Sequence, residues 1–165
     1  MFKNIFDRFL EHKKNLKIIS VASADSKCRP NSAHKMLVDV IAPNEILFLD
    51  YKFTQTFSNI NHNPQLSISF MDDAAFTGYR LTGYGVVLDK GVEYEQAKNS
   101  WSKRLVSYEA DRIIKRLTGH YSTREAENNL PKNFVIVKFI AEEASMIKPD
   151  RVFRASLRTP SGGRG

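Results

Sequence analysis

A chain of 165 residues, 42% hydrophobic and 26% charged, has room for one folded core and matches neither a disordered nor a fibrous composition. Its single cysteine, Cys28, excludes an intrachain disulfide and a cysteine-based zinc cage, and suits a reducing cytoplasm. The formal charge of +7 invites a nucleic-acid reading, but the basic residues are scattered among acidic ones, as on a solvated surface or around a pocket for small phosphorylated anions.

The opening MFKNIFDRFLEHKK places Phe2, Ile5, Phe6, Phe9 and Leu10 on one helical face, which predicts an amphipathic helix ending near Lys14. Lys3, Asp7 and Arg8 interrupt it, so it lacks the apolar core of a signal peptide. No segment is long and apolar enough to span a bilayer, and the expected location is cytoplasmic, with no membrane and no nucleic-acid partner. LKIISVA (16–22) reads as a strand and SADSK as a hairpin turn. A second strand is expected from about Pro30 to Ile41, APNE turns the chain, and ILFLD (46–50) is a third strand.

After Tyr51, Lys52 and Phe53 the pattern changes. Phe57 and Ile60 stand three apart, which suits a short helix beginning at Thr54, and Asn63 with Pro64 closes it. Gln65 to Met71 alternates as a fourth strand. Arg80 to Leu88 is a fifth, in which Gly83 and Gly85 mark a bulge or a close backbone approach. The stretch from Glu93 to Thr118 is helical, in one piece or as two helices broken near Ser107. A polar loop ends at Pro131, and Phe134 to Ile147 returns to strand. The short turns and antiparallel hairpins favour a barrel of six strands, mainly β with α, over a parallel sheet. One domain over 1–150 and a C-terminal tail over 151–165 are expected.

The polar bend after ILFLD carries the chemistry. Thr54 and Thr56 begin a short helix whose free backbone N–H groups and dipole favour an anion, and their hydroxyls can add donors; Thr54 can equally serve as the helix cap. His34 on the second strand either faces solvent or performs proton transfer. Trp101 packs in the core or covers a ligand. With His12, His34, His62 and His120 in unrelated contexts, no metal site is assigned. Asp72 and Asp73 are adjacent and diverge, and Cys28 has no histidine beside it, so neither is read as catalytic.

Three pieces together resemble the FMN-binding split barrels that include pyridoxamine phosphate oxidase and many small flavin reductases. They are the hairpin IISVASADSKCRPNSAHKMLVDV, the unit EILFLDYKFTQTFSNINHNPQLSISF with its strand, polar turn, helix and Asn-Pro stop, and the strand GYRLTGYGVVL. The likeness covers about Leu16 to Leu88 and extends to the strand 134–147. It implies a six-stranded antiparallel split barrel with an N-terminal helix and an inserted helical segment, a homodimer, and FMN held between subunits. It further implies that His34, Lys35 and Met36 lie along the flavin, that Leu49 and Asp50 offer backbone groups to its ring edge, and that Thr54, Gln55 and Thr56 form the phosphate turn. The family's basic residue in that turn is replaced here by Gln55 and Thr56, so Lys35 and Lys52 are the nearest cations. Arg80 meets the cofactor phosphate or an anionic substrate, or else forms a surface ion pair. The implied activity is that of an oxidoreductase or flavin reductase acting on a small-molecule substrate or a reduced nicotinamide. The other reading keeps the barrel as a carrier of flavin, deazaflavin or haem without turnover.

Overall fold

The computed structural model describes residues 1–117 and 134–157. In chain order these form helix α1 (Phe2–His12), strands β1 (Ile18–Ala24), β2 (Pro30–Ile41) and β3 (Glu45–Asp50), and helix α2 (Gln55–His62). Strands β4 (Gln65–Asp72) and β5 (Thr77–Leu88), helix α3 (Val92–Leu117), and strands β6 (Val135–Ile147) and β7 (Val152–Ser156) follow. The sheet runs β3-β2-β1-β4-β5-β6-β7 with every pairing antiparallel, and β3 also pairs with β6. That pairing closes six strands into a barrel, as the sequence predicts, with β7 as an additional strand on β6. Five residues of the stretch read as a tail therefore belong to the sheet; residues 158–165, like 118–133, lie outside the described residues.

Alternation along the strands decides what fills the barrel. Ile19 and Val21, Leu37 and Val40, Ile46 and Phe48, Leu66 and Ile68, Tyr79 and Leu81, and Val137, Phe139 and Ala141 point inward. α1 joins the same cluster through Phe2, Ile5, Phe6 and Phe9, the last set edge-on against Phe70 with ring centroids 4.6 Å apart. Each of these fully buried aromatic or branched side chains contributes about 1.5–3 kcal/mol relative to exposure. The opposite parity on β2, β3, β5 and β6 (Val38, Leu47, Leu49, Leu88, Ile136) forms a second apolar patch outside the barrel, which α3 covers with Ala97, Trp101 and Tyr108.

α3 is one helix, not two broken at Ser107. The buried stripe Ala97, Trp101, Tyr108 runs straight through that position, and Arg104 hydrogen-bonds Tyr108 across it at 2.7 Å. The same guanidinium donates to the carbonyls of Lys13 and Leu16, tying α3 to the link between α1 and β1. Trp101 is buried, edge-on to Tyr108 and Phe134, so of its two readings it takes the packing role.

The turn between β1 and β2 is organised by Asp25, whose carboxylate accepts from the backbone N–H groups of Arg29 and Lys27 and from Arg29 Nε. Hydrogen bonds from Arg29, backbone first and then side chain, hold this carboxyl below its ordinary 3.8. The stability it adds is present above the unfolded pKa and disappears as pH falls through the lowered folded one. Asp25→Asn is therefore expected to lower the urea midpoint at neutral pH and to converge on wild type in acid, which flattens the acid limb of a plot of urea midpoint against pH.

Candidate functional site

The bend between β3 and α2 is built on a buried ion pair. Ile46, Phe48 and Asp50 share the inward face of β3, and Lys35 shares that of β2 with Leu37, so their side chains meet inside the barrel mouth. Lys35 Nζ lies 2.6 Å from Asp50 Oδ1, with the two side chains 8% and 0% exposed. The same oxygen accepts from the Tyr51 backbone N–H at 2.8 Å and from the Thr54 hydroxyl at 2.7 Å, while Oδ2 is buried without a hydrogen-bond partner among the described residues.

Thr54 in turn accepts from the Phe57 N–H at 3.1 Å, which makes it the N-cap of α2. A second set of bonds docks this helix on the barrel: Asn59 donates to Ser23 Oγ at 3.0 Å, and Asn31 donates to Ser23 Oγ and Thr56 Oγ1 at 3.3 and 3.2 Å. Thr56 and Asn59 are both buried. The hydroxyls of Thr54 and Thr56 thus have partners within the fold. Gln55 is exposed and donates to Asn59 Oδ1 at 2.7 Å.

What the bend presents outward is different. Lys52 is exposed, and Phe53, 86% exposed, stacks on Tyr51 with centroids 5.3 Å apart and planes 19° apart. Burial raises the Tyr51 phenol above its ordinary 10.0, and the negative charge of Asp50 adds to the effect. Among the first-turn N–H groups of α2, those of Gln55 and Thr56 have no acceptor inside the helix. These N–H groups with Lys52 fit a phosphate, and the Tyr51–Phe53 pair supplies an aromatic surface beside it. The Thr54 hydroxyl does not add to that donor set, because it donates to Asp50, and Thr56 Oγ1 is buried where it accepts from Asn31.

The structure divides the remaining residues singled out from sequence. His34 and Met36 lie on the outer side of β2, opposite Lys35: His34 is exposed with its Nδ1 3.1 Å from Ser20 Oγ, and Met36 packs against the cluster under α3. Leu49 is buried in that cluster too. Arg80 lies on the outer side of β5. Register pairing links His34 to Ser20, Ser20 to Ser69, Ser69 to Arg80, Arg80 to Ser145 and Ser145 to Arg154, a single row across six strands. At the β5–β7 end of the row a cavity of about 480 Å³ is lined by Arg80, Glu143, Ser145, Arg154 and Ser156. Arg80 Nε is buried there without a hydrogen-bond partner among the described residues. Sequence reasoning missed Tyr51 with Phe53 as a stacked pair, and Arg154. Two aromatics flanking Lys52 were the available signal for the first; the second required the register of β7. Among the described residues no cluster of His, Cys, Asp and Glu is set up to hold a metal, and no helix is long and apolar enough to cross a membrane.

A family model described as Pyridoxamine 5'-phosphate oxidase matches residues 5–148. No curated protein matches the chain. Among solved structures, the chain is similar to a Clostridium acetobutylicum protein related to general stress protein 26 of B. subtilis and assigned to the pyridoxinephosphate oxidase family: 15% identity, TM-score 0.66, covering 95% of this chain and 97% of that one. It is similar to a heme binding protein from Mycobacterium smegmatis (10% identity, TM-score 0.65, covering 94% and 58%). A third is a pyridoxamine 5'-phosphate oxidase-related, FMN binding protein from Nostoc punctiforme (10% identity, TM-score 0.57, covering 96% and 97%). At these identities the structural likeness is one of fold.

Proposed function

We propose that this chain, which belongs to the pyridoxamine 5'-phosphate oxidase family, binds FMN at the bend between β3 and α2 and acts as a cytoplasmic oxidoreductase of the flavin reductase kind, as a homodimer. One observation carries the reading: an open helix N-terminus beside an exposed lysine and an exposed stacked aromatic pair, on a bend fixed from beneath by Lys35, Asp50 and Thr54. When bound, FMN supplies hydride and electron transfer at its ring. The chain's own residues bind and orient. The N–H groups of Gln55 and Thr56 and the Lys52 ammonium would hold the phosphate, and Tyr51 with Phe53 would shield the neighbouring part of the cofactor from water. His34 and Met36, on the outer wall, would border the ring, and a reduced nicotinamide or other small substrate would approach from the open side.

The protein is then expected to be yellow as purified, with one FMN per subunit; a colourless protein that ignores added FMN overturns the proposal. Lys52→Ala removes one charge-assisted contact, worth about 1.5–3 kcal/mol, so FMN affinity is expected to fall at least about tenfold in a fluorescence titration.

A second reading, in which the barrel carries flavin, deazaflavin or haem without turnover, is favoured by Gln55 in the turn and by the buried Asp50 carboxylate below it, both of which lower the positive charge available to a phosphate. Absorbance spectra distinguish the cofactors. Steady-state oxidation of reduced nicotinamide eliminates the carrier reading.

Support for the homodimer comes from the outer face of the sheet. Met71 pairs with Gly78, Gly78 with Ile147 and Ile147 with Val152, and Met71, Ile147 and Val152 are 59%, 41% and 52% exposed, as is Ile18 at 55%. Adjacent exposed apolar side chains of this size mark association surfaces. Met71→Lys is expected to shift the light-scattering mass from dimer toward monomer; a wild-type protein that is monomeric at all concentrations removes this part of the proposal.

A further inference from the structure

The pair of arginines on the outer face of β5 and β7 has no place in the flavin-binding bend. Arg80, Ser145 and Arg154 face the same way, because their inward neighbours Tyr79 and Leu81, Ala144 and Met146, and Ala155 belong to the barrel core. Strands lie about 4.8 Å apart, so two cations separated by one strand stand about 10 Å apart at the backbone, close enough for both guanidiniums to reach a ligand over the intervening residue. That residue is Ser145, 6% exposed and too small to fill the gap. The space between is the cavity of about 480 Å³, which exceeds what a lone phosphate or carboxylate occupies and leaves room for the molecule that carries it.

The two arginines in this cavity lack acceptors among the described residues. Arg80 Nε is out of contact with solvent and makes no hydrogen bond, and neither Arg80 nor Arg154 forms an ion pair among the described residues. A buried donor left unmade costs about 1–3 kcal/mol, which an arriving acceptor would recover. Glu143 lines the same space yet takes neither arginine; it accepts from the Thr82 hydroxyl on the next row at 3.3 Å. The fork of a guanidinium matches the paired oxygens of a carboxylate or phosphate.

We propose that the groove between Arg80 and Arg154 binds a small molecule through an oxyanionic group, a carboxylate or a phosphate, with Ser145 as its floor. Glu143 at the rim disfavours a second negative charge on that side and offers an acceptor to a hydroxyl or ammonium group of the same ligand. Two arginines in a row otherwise made of serines and one histidine suit one anionic group rather than a run of phosphates, so a small ligand fits better than a nucleic acid. Nothing in this site depends on a flavin being bound.

Isothermal titration of the intact protein at low ionic strength, with inorganic phosphate in one series and succinate in another, tests this and separates the two oxyanion sources. Saturable binding of at least one anion is expected. Arg80→Gln and Arg154→Gln are each expected to weaken it at least about tenfold, the loss of a charge-assisted hydrogen-bond pair, while Lys52→Gln, at the bend, leaves that binding in place. Arg80→Lys keeps the charge but removes the Nε donor, and is expected to bind with intermediate affinity. Arg154 is exposed on an edge strand, so its variant keeps the test open should Arg80→Gln fold poorly. No saturable binding of either anion, or binding lost in Lys52→Gln and unchanged in the arginine variants, overturns the proposal.

Discussion

Gly83→Ala is expected to destabilise the protein by at least about 3 kcal/mol or to prevent folding, the range reached when a side chain is forced into backbone. A Cβ at this position would lie 2.0 Å from the Ile140 carbonyl oxygen and 3.0 Å from the Ile140 carbonyl carbon and the Ala141 Cα, and no rotamer change relieves a clash with main chain. The close approach belongs to a bulge: Thr82 pairs with Glu143 but Gly83 pairs with Ala141, so β6 carries an extra residue at this point. The extra residue reverses the parity of β6. Val137, Phe139 and Ala141 point inward before it and Ala144 and Met146 after it, which turns Ser145 outward between the two arginines. Gly85→Ala is the comparison. Its Cβ would meet Leu66 Cδ1 at 2.7 Å, a side-chain methyl that can move, with Val137 Cγ1 at 3.2 Å, so a smaller loss of about 1–2 kcal/mol is expected. Urea denaturation of the three proteins gives the ranking. Equal stability of Gly83→Ala and wild type would mean that β5 and β6 can separate locally without cost. A Gly83→Ala protein that folds is also expected to lose anion binding at Arg80, because the bulge sets the facing of its neighbours.

The glycines themselves were legible in the sequence, since a strand interior gains nothing from a residue without a side chain unless something approaches closely. Short apolar or β-branched runs bounded by turn residues likewise located β1 to β6, with period-two alternation marking β4, and the change to helical spacing after Phe53 located α2. β7 was not legible: RVFRAS is short and sits on an edge, and its exposure alternates only because β6 supports one face. The candidate site was half legible. The bend was identifiable from its residue types, but His34, Lys35 and Met36 were grouped as one surface although consecutive residues of a strand face opposite ways. Parity alone assigns Asp50 to the inside with Ile46 and Phe48. That Lys35 meets it there depends on the pairing of β2 with β3, including the irregularity between Leu37 and Asp39, a tertiary fact that residue types do not contain.

That pairing makes Lys35→Met the second severe substitution, with an expected cost of about 3–5 kcal/mol, because it leaves the Asp50 carboxylate buried with its cation removed. Tyr51 N and the Thr54 hydroxyl would remain on Oδ1, and Oδ2 has no partner among the described residues to begin with, so little in the site can take over from the ammonium. Replacing both members, Lys35→Met with Asp50→Leu, is expected to recover part of the loss, since no unpaired charge stays buried while the Tyr51 N–H and the Thr54 hydroxyl lose their acceptor. Urea midpoints of the single and double variants form a mutant cycle that isolates the pair; a single variant within about 1 kcal/mol of wild type would show that water reaches Asp50 and shares its charge. The double variant also tests how the bend is set. Asp50 anchors Thr54, and Thr54 caps the helix whose first N–H groups are assigned to the phosphate. A stable double variant that keeps FMN affinity would show that Thr54 alone fixes the bend. Weakened FMN binding with stability retained would instead mark the Lys35–Asp50 pair as what positions the phosphate turn, through the helix cap rather than by touching the cofactor.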